Sequence, residues 1–313
     1  VITLSQTKPG CDIIESMKQS VKGALLTAGG GVCWGLSGSM GQYLFTKQGM
    51  DAHWLVPIRL FLAGVILFIY CRIRMGKYVY SPWKTKRDAR DLLVYGLLGI
   101  SLCQYLYFRT IQLSTAGAAT ILQDLSPVMI LIVECIHRHE KPGIFDVFSI
   151  ILALVGVTLI TTHGRMELGI PAGALLCGVL CAGCVTVYNC YPRHLLAHFP
   201  VVVLQAWSFL MGGLLFAFVF KIWQYNYVPN VMGIIGIAFV VVVGNVLAFT
   251  MYMQGVKEIG PEKGILYGFA EPVTAAIVTG IMGTPFTLGD FIGFVCVFAM
   301  LVMISLSRQK QQA

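Results

Sequence analysis

The sequence predicts an all-α integral membrane protein with ten transmembrane helices arranged as two five-helix repeats of opposite orientation. Three observations predict it. First, 57% of the 313 residues are hydrophobic and only 12% are charged, against about a quarter charged in a soluble domain. Second, the apolar residues form long runs without the polar alternation of a barrel lumen, and in lipid a helix satisfies its own backbone polar groups. Third, the two halves of the chain resemble each other. A span needs about 20 residues, so ten would use roughly 200 and leave only short connections. No second soluble domain fits in the remainder, and the apolar content excludes disorder.

Charges, prolines and polar clusters divide the chain into candidate spans near 23–45, 53–71, 92–111, 115–137, 145–162, 171–190, 201–222, 231–256, 261–282 and 288–306. Inner loops should hold Lys and Arg. With the N-terminus inside, the inner side carries 17 of the 22 basic residues, among them Arg72, Arg74, Lys84, Lys86, Arg193 and Lys257, and the other side only Lys47, Arg165 and Lys221. Arg59 and Arg109 lie within spans. The imbalance predicts ten spans with both termini cytoplasmic, and it reads the +8 net charge as topology instead of nucleic-acid binding. Residues 1–20 and 308–313 are expected as cytoplasmic tails, 21–165 and 166–307 as the two repeats. The first sixteen residues lack the layout of a cleaved signal peptide, and Met17, followed by Lys18 and Lys22, is a candidate start.

Sliding the chain against itself by 145 residues sets Leu125-Ser126-Pro127-Val128 over Ala270-Glu271-Pro272-Val273, Tyr107 over Tyr252 and Thr115 over Gly260. Each half then has a long span, an almost absent connection and a span with an internal Pro-Val. Five is odd, so two such units joined in one chain cross the membrane in opposite senses. Inverted repeats of this kind recur in secondary transporters, where a midplane site opens to either side in turn.

Trp34-Gly35, Arg59-Leu60-Phe61-Leu62-Ala63 and the stretch Ala118 to Val128 resemble the first repeat of the EamA family of the drug/metabolite transporter superfamily. Tyr188 with Arg193, and Glu271-Pro272-Val273-Thr274-Ala275-Ala276, are similar to the second repeat. The resemblance covers roughly residues 20–306. It implies a basket of spans one to four and six to nine around a central cavity, with five and ten peripheral. It also implies export or exchange of small organic molecules, amino acids among them, commonly coupled to protons, and an Arg at position 59 making a fixed contact in the outer half. Three features depart from the family pattern: Arg109, Asp124, and Gly283-Thr284-Pro285 where an acidic residue often ends the ninth span.

An ionisable group in hydrocarbon costs at least about 2.5–3.5 kcal/mol on insertion scales, so each one demands a reason. Glu134, near the end of its span with Arg138 one turn on, reads as an interfacial i,i+4 pair. Glu271 lies some ten residues past Pro261, about 15 Å deep. Tyr267 at i−4 and Thr274 at i+3 would share its face. A carboxyl at that depth either exchanges a proton, as coupling requires, or fixes helix nine to a neighbour. Asp124 and Arg109 read as a salt-bridged pair, structural or part of an outer gate. Otherwise Arg109 snorkels or holds a substrate carboxylate. For Arg59, a fixed contact and snorkelling are both open.

Trp34, Tyr105, Gln123, Tyr188, Gln205, Asn245 and Tyr252 complete the candidate pocket, offering flat apolar walls and a few directional polar groups for an amphipathic solute. The series Gly29-Gly30-Gly31, Gly35, Gly38 and Gly41 permits close helix approach. Cys177, Cys181, Cys184 and Tyr188 share a face of the sixth span, and the ten cysteines read as packing residues and not as metal ligands. No motif of hydrolase, zinc-protease or phosphate-loop type occurs. The expectation is a carrier without cofactor or metal, acting on a small-molecule substrate in a lipid bilayer, possibly an amino acid, exported with proton coupling. An importer or exchanger of nucleotide-sugar type is the alternative. Monomer and homodimer both remain open.

Overall fold

A computed structural model describes residues 9–162, 170–281 and 287–312. The expected junction between halves near 165 and the Gly283-Thr284-Pro285 departure lie outside the described residues. Every regular element described is helical. Helices α1 (Pro9–Thr46) and α2 (Ala52–Met75) lead through a 3-10 stretch, Gly76–Trp83, to α3 (Lys86–Leu93). A π-helical segment, Val94–Ser101, joins α3 to α4 (Leu102–Leu113) as one rod. Then come α5 (Ala116–Gln123), α6 (Ser126–Arg138) and α7 (Ile144–Thr162). The second half has α8 (Ala172–Cys190), α9 (Arg193–His198), α10 (Val201–Val219) and α11 (Val231–Phe239). A second π-helical segment, Val240–Leu247, joins α11 to α12 (Ala248–Ile259), followed by α13 (Pro261–Tyr267), α14 (Ala270–Ile281) and α15 (Leu288–Gln312).

Six described stretches are long and apolar enough to cross a membrane: Ala52–Trp83, Lys86–Leu113, Ala116–His137, Ala172–His198, Val201–Val219 and Val231–Ile259. Ile144–Leu159 and Phe291–Met300 are shorter apolar helices. Large apolar side chains such as Ile69, Ile73, Leu176, Phe218 and Phe291 point outward, as expected where hydrocarbon is the solvent.

The halves pack as counterparts. Helix α2 lies on α10 and α7 on α15, while α1 lies on α12 and α4 on α8. Exchanging the halves returns the same set of pairs, and the two π-helical segments fall at matching places in them. Tyr95, Phe108, Tyr188, Phe209, Phe249 and Tyr252 belong to one buried core drawn from both halves. A smaller cluster around Ala153, Phe269 and Met300 joins α7 and α15.

Two of the expected spans are broken. Residues 115–137 divide at Asp124-Leu125, and 261–282 at Gly268-Phe269. The cause is local. A proline has no N–H, so Pro127 and Pro272 leave the carbonyls four residues earlier, Gln123 and Gly268, without their helical donors. Gly268 instead accepts from the Glu271 amide at 2.9 Å. Both short connections are capped as expected, Thr115 Oγ1 accepting from Ala118 N at 3.1 Å and Gly260 taking φ +83° before Pro261.

Glycines seat α1 on the second break. A Cβ at Gly31 would lie 2.6 Å from the Gly268 carbonyl oxygen, and one at Gly35 would run into that of Glu271. Gly35→Val should therefore lower the melting temperature of the purified protein, at about the 1–3 kcal/mol cost of overpacking. Gly183→Ala, where a Cβ meets nothing within 4 Å, should leave it unchanged.

Candidate functional site

Glu271 stands in the first turn of α14, just beyond the break, and is 6% exposed. The Tyr107 hydroxyl on α4 donates to its Oε1 at 2.8 Å and lies 3.2 Å from Thr120 Oγ1 on α5. This bond joins the two halves of the chain. Around it is a closed cavity with room for about 20 Å³ of water, one or two molecules. Trp34, Ser37 and Gly38 of α1 line it, with Arg59 of α2, Cys103, Gln104, Tyr107 and Phe108 of α4, Gln123, Tyr188, Phe249 and Glu271.

Arg59 is 1% exposed, two residues past the helix-interior Pro57. Its Nη2 donates to Gln104 Oε1, and its flat face lies 3.7 Å above the centre of the Phe108 ring. It does not snorkel. The Trp34 ring packs 4.7 Å from both Phe249 and Tyr252, and its Nε1 has no hydrogen-bond partner among the described residues. The Tyr188 ring stands 5.9 Å from Phe249. Cys181 Sγ of α8 lies 3.4 Å from Gln123 Oε1 and 3.6 Å from Cys103 Sγ.

Of the residues singled out from the sequence, Trp34, Arg59, Gln123, Tyr188 and Glu271 converge on this cavity; the rest lie elsewhere. Tyr252 is buried behind Trp34, its hydroxyl donating to Asn189 Oδ1 at 3.0 Å. Gln205 Nε2 donates to the Tyr95 hydroxyl at 2.9 Å. The Asn245 amide is buried without a hydrogen-bond partner among the described residues, away from the cavity lining. Tyr267 does not share a stripe with Glu271, because the break at Gly268-Phe269 interrupts the i−4 relation, and Thr274 turns its hydroxyl back to Ala270 O at 2.8 Å.

The expected pair of Arg109 and Asp124 does not form. Arg109 Nη1 donates to Gln112 Oε1 at 2.8 Å, and Gln112 Nε2 donates to Asp51 Oδ2 at 3.0 Å. Asp51 contacts His53 Nδ1 at 2.6 Å, and Tyr105 Oη lies 3.1 Å from His53 Nε2. Tyr105 and Arg109 thus belong to a polar network where α2 begins and α4 ends. Burial disfavours the Asp51 carboxylate, but hydrogen bonds from Gln112 and from the amide and ring of His53 outweigh it and hold it below the usual range. Asp124 stays at the break between α5 and α6, its Oδ2 buried without a hydrogen-bond partner among the described residues. Glu134 is buried, not interfacial, and pairs with Arg193 of α9; the Arg138 side chain expected beside it lies outside the described residues.

Sequence reasoning missed Gln104, Phe108, Phe249 and the donor role of Tyr107. One signal for Tyr107 existed: the 145-residue shift sets it over Tyr252, and both prove to be buried hydroxyl donors.

The model of the EamA-like transporter family matches residues 21–162 and again 172–306. The chain belongs to the EamA-like transporter family. The inner membrane transporter YicL of Salmonella typhimurium, described as uncharacterized, is 31% identical over 95% of this chain and 100% of its own length. YetK of Bacillus subtilis, also described as an uncharacterized transporter, is 25% identical over 82% of this chain and 79% of its own. A solved crystal structure with 17% identity matches 96% of this chain and 99% of its own with a TM-score of 0.73, a likeness of fold. This EamA-like chain is therefore a multi-pass membrane protein of a transporter family, whose partners are a small-molecule substrate and membrane lipid.

The thiols of Cys103 and Cys181 lie 3.6 Å apart, about 1.5 Å beyond a disulfide bond length. Copper-phenanthroline treatment of the purified transporter should link them, tying α4 to α8, as read by peptide mass mapping. Cys103→Ser should abolish the linked peptide.

Proposed function

We propose that this protein is a secondary transporter that moves a small amphipathic organic solute out across the cytoplasmic membrane by alternating access, with Glu271 as the proton-coupling group. The observation that carries the reading is the closed cavity walled by both halves, with a buried carboxyl held across the divide by Tyr107. Ten crossings, formed by two inverted units divided near residue 165 with both termini cytoplasmic, account for the matched packing pairs and for the distribution of basic residues. In such a plan the halves rock about the shared cavity, and a polar group between them must part in every cycle.

The chemistry follows from one bond. An ionised Glu271 accepts the Tyr107 proton in a charge-assisted hydrogen bond, stronger than the neutral contact left once the carboxyl is protonated. Proton binding from one side loosens the junction of α4 and α14; proton release to the other side restores it. Trp34, Tyr188 and Phe249 supply apolar walls for the solute, and Gln104 and Gln123 directional contacts.

The test begins with a thermal-shift screen of amino acids, nucleobases and amines on the purified protein, then counterflow in proteoliposomes with each stabilising solute. Wild type should show saturable counterflow accelerated by a pH gradient. Glu271→Gln should retain exchange and lose the acceleration; unchanged pH dependence would remove Glu271 from the coupling role. Tyr107→Phe, which takes away a hydrogen bond to a charged group worth about 1.5–3 kcal/mol, should keep counterflow and reduce the response to the gradient.

A further inference from the structure

We infer that the solute carries a carboxylate, held by Arg59 with the Trp34 indole N–H as an additional donor. The inference rests on the transport reading only in taking the cavity as the solute's place. A guanidinium stays protonated in proteins, so the cavity holds a permanent positive charge. That charge is withdrawn from water, at 1% exposure. Among the described residues it makes no ion pair, and its polar contact is one bond from Nη2 to the neutral amide of Gln104. Nε and Nη1 have no hydrogen-bond partner. Glu271 lines the same cavity, but its Oε1 is occupied by the Tyr107 hydroxyl.

Burying a lone cation costs far more than burying a paired one, and a stable apo protein gains nothing from leaving three N–H donors idle. The arrangement makes sense if the missing anion arrives with the solute. Its form follows from the geometry. Phe108 covers the flat face of the guanidinium, so a ligand approaches along the N–H edge, where a planar carboxylate matches two parallel donors. One cation and one neutral indole donor suit a single negative charge and fall short of what a phosphate dianion needs. Trp34, Tyr188 and Phe249 face the same space and suit an apolar remainder. Arg109 does not serve as carboxylate holder, since it is engaged with Gln112.

The test uses two mixed pools on the purified full chain: aliphatic and aromatic monocarboxylates with and without an α-amino group, and the matching primary amides. Thermal stabilisation by the acid pool alone is expected. Equal stabilisation by both pools, by the amides alone, or by neither overturns the inference. Arg59→Met should lose the response to acids while its own unliganded melting temperature stays at or above wild type, because an uncompensated charge has been removed; a lowered melting temperature with the acid response intact would mark Arg59 as structural and overturn the assignment. Should Arg59→Met fail to fold, Arg59→Lys keeps the charge and loses the fork, and should bind the acid hits about tenfold more weakly or worse; unchanged binding counts against the assignment. Within the acid pool, hits that need the amino group identify zwitterions and hits without it identify simple acids, and both fit a carboxylate site. Acids that bind but show no counterflow would sink the transport reading and spare this one, whereas amides that are transported would do the reverse.

Discussion

A hydroxyl and a carboxyl that meet where no water can replace either of them form the junction on which this molecule turns. The bond from Tyr107 to Glu271 joins α4 of one half to α14 of the other, and the surrounding fold serves to bring those two groups together. Pro272 opens the helix immediately before Glu271 and leaves the Gly268 carbonyl to the Glu271 amide. Gly31 and Gly35 let α1 rest directly on that opening. The rod carrying Tyr107 is made continuous by a π-helical segment, and Gly99 within that segment lets it lie against Tyr188 of α8. In a medium with no competing hydrogen-bond partners, such placement decides whether a buried polar group is stable or ruinous.

The closed state of the cavity has its counterpart at both ends of the rod 86–113. At one end Arg109, Gln112, Asp51, His53 and Tyr105 are linked in a chain of hydrogen bonds. At the other, His194 meets Asp88 at 2.9 Å and the Tyr191 hydroxyl donates to Asp91 at 2.9 Å, joining α3 to the segment after α8. With both ends tied and about 20 Å³ free between them, the structure has the character of an occluded form. Opening to either side requires one polar network to part while the other holds.

Much of this was legible in the sequence because hydrocarbon imposes length and apolarity on a span. The runs expected at 53–71 and 201–222 correspond to Ala52–Met75 and Val201–Val219, and the 145-residue shift anticipated the matched capping at Thr115 and Gly260. Helix interruptions were harder to see. Periodicity runs smoothly through Gly268-Phe269, so Tyr267 was assigned to the face of Glu271, although Pro272 marks the place where the ladder must fail. Charge pairing was harder still, since Arg109 and Asp124 are neighbours in sequence while their partners are set by elements sixty residues away. Gln112 reaches Asp51, a contact that neither spacing nor composition encodes. Arg59 was visible as an intramembrane charge, but only the packing of Phe108 and Gln104 reveals that its edge is left bare.

Duplication supplied two scaffolds and then let their chemistry drift apart. The position matching Glu271 in the first half is Ser126, fully buried with a hydroxyl that finds no hydrogen-bond partner among the described residues, and the tyrosine matching Tyr107 turns to Asn189 instead. Two near-mirrored walls therefore enclose a lopsided interior, with its acid borne by one copy alone. A device built this way has no reason to sit at equal energy when facing one side or the other: the surviving acid acts as an intrinsic bias, a ratchet tooth cut into one of two otherwise equivalent wheels.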